Sequence, residues 1–154
     1  TRFRSRWRLL RERILAMKEI WTQEEPEYHG EFVNLDKMWA YPKPVQRPHP
    51  PILMGGDGAT TFDRVVEYCD GWMPIGGRPS EGPSLQEKIV LLRRQAEEAG
   101  RDPASINITT FMARPEPGAI ARLEAAGVDR AIFALPSAER DTVVPIIDEC
   151  AKLI

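Results

Sequence analysis

The sequence predicts an α/β fold in which a helix and an extended excursion lead into four successive βα units. Three observations carry that reading. The apolar run Ile52-Leu53-Met54 ends in Gly55-Gly56-Asp57-Gly58, and a helix pattern begins at once behind it. A second strand pattern, Gly71 to Ile75, ends in Gly76-Gly77 only one helix later. The same alternation then repeats twice more. Strands separated by helices pair in parallel through right-handed crossovers. Ile52-Leu53-Met54 and Ile132-Phe133-Ala134-Leu135 are continuously apolar, the pattern of strands buried on both faces.

The first element is an amphipathic helix. Phe3, Trp7, Leu10, Ile14, Met17 and Ile20 or Trp21 recur in steps of three or four, and Thr22 to Pro26 ends the run. Its other face carries Arg2, Arg4, Arg6, Arg8, Arg11 and Arg13, with Glu12 and Glu19 mixed in. Without interleaved stacking aromatics this reads as a solvated face, not a phosphate-tracking stripe. Tyr28 to Tyr41 reads as a hairpin-like excursion, with Phe32, Val33, Leu35, Met38, Trp39 and Tyr41 as β-type residues. Gly30 and Asn34-Leu35-Asp36 punctuate it as turns. Pro42 to Pro51 must be extended, because proline restricts both itself and the residue before it.

Within the βα units, Thr60 or Thr61 is placed to cap a helix carrying Phe62, Val65, Val66 and Cys69. Ser84-Leu85-Gln86-Glu87 is a capping-box pattern opening a helix through Ile89, Leu92 and Ala96, closed by Gly100. Ile106 to Ala113 is a strand, Gly118 to Ala126 a helix, and Arg130 to Leu135 a strand. Asp141 to Leu153 is the last helix, with Pro145 assigned to its first turn.

Bulk properties narrow the class. The chain has 154 residues, 42% of them hydrophobic and 29% charged, enough for one domain with a real core. A net charge of -2 supplies no field for nucleic acid or an anionic membrane. No apolar run approaches membrane-spanning length and no signal peptide is recognisable, so a cytoplasmic setting is expected. Cys69 and Cys150 are too far apart in sequence to suggest a disulfide framework or a metal site. The first residue is Thr1, which leaves open that the chain is a piece of something longer.

Several motifs together carry a family resemblance. They are Pro42-Lys43-Pro44-Val45-Gln46, Pro50-Pro51-Ile52-Leu53-Met54-Gly55-Gly56 and Tyr68-Cys69-Asp70-Gly71-Trp72. Ile20-Trp21-Thr22 with Tyr28-His29-Gly30-Glu31-Phe32, the Ala99-Gly100-Arg101-Asp102-Pro103 turn, and Arg130 to Ser137 extend the match along the whole chain. The sequence resembles the bacterial luciferase-like superfamily, and most of all its deazaflavin (coenzyme F420)-dependent oxidoreductases. The resemblance implies a partial (β/α)8 TIM barrel of about four C-terminal βα units, with an N-terminal helix and hairpin-like excursion. A complete barrel takes about 250 residues. It implies one domain over 1–154: helix 1–22, excursion and proline-rich strap 27–50, and four βα units 51–154. It also implies F420, alternatively FMN, as cofactor, and hydride transfer to or from a small-molecule organic substrate. In the family much of the ring-binding pocket comes from the half that precedes the long helix.

The candidate cofactor-binding residues are Gly55, Gly56, Asp57 and Gly58, then Ile75, Gly76, Gly77 and Arg78, all at strand carboxyl ends. Glycine admits a ligand close to the backbone, and free N–H groups ahead of a helix attract anions. A carboxylate at Asp57 would repel phosphate unless it points outward. Arg78 is placed to clamp a phosphate or carboxylate. Thr109, Thr110 and Arg114 are weaker candidates, and Trp72 reads as core packing near the pocket. His29 and His49 have no ligand-spaced partners, so no metal site is expected, and no catalytic residue is assignable. Four parallel strands leave two open edges, which favours self-association, with a complementing N-terminal half-barrel as the alternative. A non-catalytic cofactor-binding or assembly module is the other reading of function.

Overall fold

The computed structural model describes residues 3–76 and 82–153, which fall into two units, Thr1–Pro51 and Ile52–Ile154.

In the first unit a 3-10 turn, Phe3–Ser5, leads into helix α1, Arg6–Thr22. The predicted stripe is only partly covered: Ile14 and Ala16 are buried, while Phe3 is exposed and Trp7 and Met17 are partly so. The best-anchored side chain of α1 is a charged one. Glu12 is buried and accepts backbone N–H groups from Glu31, Phe32 and Val33 at 3.0, 2.7 and 2.9 Å. Strands β1, Tyr28–His29, and β2, Asn34–Leu35, pair antiparallel around that turn. The turn therefore comprises residues 30–33, and Asn34-Leu35 are strand where the sequence pattern placed a turn. Phe32 and Val33 lend their N–H groups to the carboxylate and have none left for a strand partner. Gly30 is required by the same contact, because a Cβ there would lie 2.4 Å from Glu12 Oε2. Lys43 Nζ donates to the Ile20 and Gln23 carbonyls at 2.6 Å each, satisfying groups that the end of α1 leaves open.

In the second unit the strands are β3 Leu53–Gly55, β4 Gly71–Met73, β5 Asn107–Ala113 and β6 Arg130–Phe133. They form one parallel sheet in the order β3-β4-β5-β6, each joined to the next through a helix. The helices are α2 Thr61–Tyr68, α3 Leu85–Glu98 and α4 Pro117–Ala125, and α5 Arg140–Ala151 follows the last strand. Val65, Trp72, Ile89, Leu92, Ile106 and Ile108 are fully buried between sheet and helices. Each such side chain contributes about 1.5–3 kcal/mol of transfer free energy.

One device fixes strand starts twice. Asp70, just before β4, accepts the Ile52 N–H at 2.7 Å, and Asp129, just before β6, accepts the Ile108 N–H at 2.7 Å. The capping box of α3 forms as its sequence predicts, Ser84 and Glu87 serving each other's backbone N–H.

Two expectations need correction. Strand β6 stops at Phe133 and alternates exposed with half-buried residues, and Ile52 and Leu53 at β3 are only half-buried, so neither run is buried on both faces; both strands lie at sheet edges with no further described strand beside them. Pro145 lies inside α5, which starts at Arg140, and so falls beyond the first turn.

Candidate functional site

Parallel pairing brings the carboxyl ends of β3, β4 and β5 to one edge of the sheet; among the described candidates Gly55 to Gly58, Ile75, Gly76 and Arg114 lie there or just beyond, while Trp72, Thr109 and Thr110 lie within strands. The loop after β3 is held from several sides. Gly56 has φ +105°, a conformation that favours glycine, and its carbonyl accepts the Trp72 indole N–H at 2.8 Å. Gly58 N donates to Thr61 Oγ1 at 3.1 Å, and Thr61 N donates to the Gly58 carbonyl at 2.9 Å. Thr61 thus closes the loop, while the Thr60 hydroxyl accepts from Arg64; neither side chain caps α2. Asp57 turns its carboxylate to Lys88 of α3, at 2.5 Å. A Cβ built on Gly55 meets nothing within 4 Å, so that backbone faces open space.

The end of β4 is different. Ile75 is 53% exposed and bridges to Phe111. Gly76 donates its N–H to the Phe111 carbonyl at 2.6 Å, and a Cβ there would lie 2.7 Å from Thr110 Cγ2. Glycine at 76 is therefore demanded by packing against β5, whether or not a ligand comes near. Gly77 and Arg78 lie outside the described residues.

In β5, Thr109 and Thr110 are fully buried. Thr109 spends its hydroxyl on Asn107 Oδ1 at 2.6 Å, a structural use. Thr110 Oγ1 has no hydrogen-bond partner among the described residues. Register shifts between Phe111 and Ala113, where Met112 takes φ 58°, and the bulge leaves Phe111 and Met112 partly exposed.

Beyond these ends an open cleft of about 490 Å³ is lined by three sequence candidates, Gly76, Thr110 and Arg114. The first turn of α3, Ser84 to Gln86, and Arg122 of α4 complete its polar wall. Two guanidinium groups and a helix N-terminus give this wall positive character, offset in part by Glu116. At the same helix start Glu87 is held below its ordinary carboxylate pKa by the Ser84 backbone N–H and then by the Ser84 hydroxyl. Gly55 to Gly58 do not line this cleft. Sequence reasoning missed Arg122; its signal is a position one turn into the helix that directly follows Arg114 and its strand.

Such an arrangement is suited to binding and orienting a ligand. It offers an open backbone at Gly55 and guanidinium groups two strands away, each suited to anionic or flat ligands. Among the described residues no group of His, Cys, Asp and Glu is arranged to hold a metal ion. Cys69 and Cys150 are buried and form no disulfide, and His49 is buried beside the Trp21 ring, 5.9 Å between centroids. No helix of the described residues is long and apolar enough to cross a membrane.

Known proteins give this geometry a context. An uncharacterized protein of Mycobacterium tuberculosis is 35% identical over 144 residues, 93% of this chain and 49% of that protein. The FMNH(2)-dependent dimethylsulfone monooxygenase of Pseudomonas putida is 38% identical over 107 residues, 70% of this chain and 28% of the enzyme. The F420-dependent glucose-6-phosphate dehydrogenase of Kineococcus radiotolerans is 30% identical over 108 residues, 69% of this chain and 31% of the enzyme. Among solved structures, a long-chain alkane monooxygenase superposes with a TM-score of 0.58 at 14% identity, over 82% of this chain and 34% of that one, a likeness of fold. The chain spans about half the length of the curated relatives it matches over most of its own. The fold is accordingly a partial (β/α)8 barrel. With residues 1–115 matched to the luciferase-like monooxygenases, the chain belongs to that family.

Proposed function

We propose that this chain is part of an oxidoreductase that uses a deazaflavin or flavin to transfer hydride to or from a small organic substrate. The observation that carries the reading is the loop after β3: open space at Gly55, with a conformation already fixed at Gly56 and Gly58. A ring system or phosphate approaching Gly55 meets no side chain. Gly55, Gly56, Asp57 and Gly58 would hold the cofactor, with exposed Ile75 beside them at the next strand end. The Asp57 carboxylate, paired with Lys88, no longer opposes an anion. Gly77 and Arg78 remain proposals from sequence. The cleft walled by Arg114 and Arg122 suits a phosphate or carboxylate on the cofactor tail or the substrate.

Bound there, the cofactor would supply the redox chemistry, and the protein's part is to bind it, orient it and shield it. F420 is the first choice on the motif resemblance and FMN the alternative; the names of the relatives support both classes. A second reading, a cofactor-binding or assembly module without turnover, draws on the half-length match and on a sheet with two outer strands unpaired among the described residues.

The test is a titration of the purified chain with F420 and with FMN, following cofactor fluorescence. Saturable binding of one fixes the cofactor and supports the site. Binding with no hydride transfer to any acceptor favours the second reading. Folded protein that binds neither sinks the assignment of the glycine loop in this chain.

A further inference from the structure

We propose that Trp72 is a positioning residue for the glycine loop. Its indole N–H holds the Gly56 carbonyl inward and so turns the Asp57 backbone N–H outward, as a donor to an anionic group of the bound cofactor. The proposal deepens the reading of the site given above and rests on it.

The argument starts from burial. Trp72 lies in the middle of β4, 0% exposed, opposite Met54 of β3 and edge-on to Phe62 of α2, ring centroids 5.0 Å apart. A core position of this kind needs apolar volume, which phenylalanine also supplies. What tryptophan adds is a single N–H, and a buried indole N–H requires an acceptor. It finds the Gly56 carbonyl at 2.8 Å, a loop atom and not a ladder partner.

That bond has a consequence one atom pair further on. The Gly56–Asp57 peptide is trans, and a planar trans peptide sets its N–H opposite its C=O. A carbonyl drawn in toward buried Trp72 therefore sends the Asp57 N–H away from that side chain. This N–H makes no hydrogen bond to another described residue. The φ of +105° at Gly56 permits the inward carbonyl, and the Lys88 contact neutralises the nearby Asp57 carboxylate. A donor fixed before the ligand arrives loses little freedom on binding.

The experiment compares Trp72→Phe with Phe62→Leu in the whole chain. Both disturb the same ring contact, but only the first removes the N–H. Three quantities are read: Tm, affinity for F420 and FMN from cofactor fluorescence, and the Asp57 amide signal in ¹H–¹⁵N spectra. Expected are a lower Tm in both variants, affinity weakened about tenfold in Trp72→Phe, and affinity within about twofold of the unmodified chain in Phe62→Leu. The Asp57 amide should exchange freely without ligand and shift on saturation with the cofactor that binds. Unchanged affinity in Trp72→Phe, or an equal loss in Phe62→Leu, overturns the positioning role while leaving the cofactor site standing. An unmodified chain that binds neither cofactor overturns the donor role together with the site. A protected Asp57 amide in the free chain overturns the outward orientation on its own.

Discussion

Gly55 ends β3 and Gly71 opens β4, and a methyl group added to each meets opposite circumstances. At Gly71 it would lie 2.2 Å from the Asn107 carbonyl oxygen, a backbone atom that cannot step aside. Gly71→Ala should therefore cost about 3 kcal/mol of stability, the upper range for forcing volume into a packed core. At Gly55 there is nothing within 4 Å and no positive φ, so Gly55→Leu should hold stability within about 0.5 kcal/mol. If the loop anchors the cofactor, the same leucine should abolish binding. Denaturant unfolding and the fluorescence titration read the two effects separately; a Gly55→Leu chain with undiminished affinity would remove the loop from the site. Gly56 is the poorer probe, since any other residue there is strained at φ +105° before a ligand is considered. The sequence alone marks all these glycines alike, as punctuation after strands. What separates a packing glycine at 76 from an open one at 55 is the neighbouring strand, and that neighbour is remote in sequence. Asp57 is the same lesson reversed: its outward turn depends on Lys88, thirty-one residues on.

Helix ends show how local chemistry becomes element stability, and the start of α3 was legible where the cap of α2 was not. Ser84 and Glu87 stand at capping-box spacing, and the box forms because both partners lie within one turn. Glu87 is held below its ordinary pKa by Ser84, so its contribution is present above the unfolded value of about 4.5 and fades as pH falls through the lower folded value. Amide exchange in the first turn of α3 should accelerate over that acid range, and Glu87→Gln should flatten the dependence; an unaltered pH profile in the variant would show that the carboxylate is not the cause. The C-terminal end of α2 was not legible. Its Val65, Val66 and Cys69 carbonyls accept from Arg101 Nη1 at 2.9, 3.1 and 2.7 Å, a partner that arrives only after α3. Arg101→Ala should destabilise the chain by about 2 kcal/mol, and Arg101→Lys should recover only part of it, because an ammonium serving these carbonyls cannot also supply the Nε bond to Ser105 Oγ at 3.1 Å. Urea midpoints of the three proteins check the order. Pro145 is a different case: it is the sixth residue of a helix that starts at Arg140 and would be the fifth even from Asp141, so it lies past a first turn of about 3.6 residues with either start.

At the scale of the molecule, the alternation of strands and helices predicted a parallel sheet, and four strands in chain order are what forms. The prediction of strands buried on both faces fails at β3 and β6, the two outer strands, because that property belongs to a closed sheet, and closure depends on strands that the described residues do not supply. Neither β3 nor β6 pairs on its outer side with another described strand. Ile132 on β6 is 36% exposed and Leu135 just beyond it 47% exposed, apolar residues beside unsatisfied backbone groups. Such an edge is a template for pairing with another chain unless charge blocks it, and Arg130 is the only charge within β6. The 154-residue chain on its own should therefore associate at micromolar concentration. Light scattering should report a dimer or larger species that dissociates on dilution. Ile132→Lys places a second charge on the edge strand and should shift the population toward monomer with little change in secondary structure. A scattering mass that stays at one chain across the micromolar range would defeat the edge argument. A dimer that survives Ile132→Lys would place the contact elsewhere, away from β6.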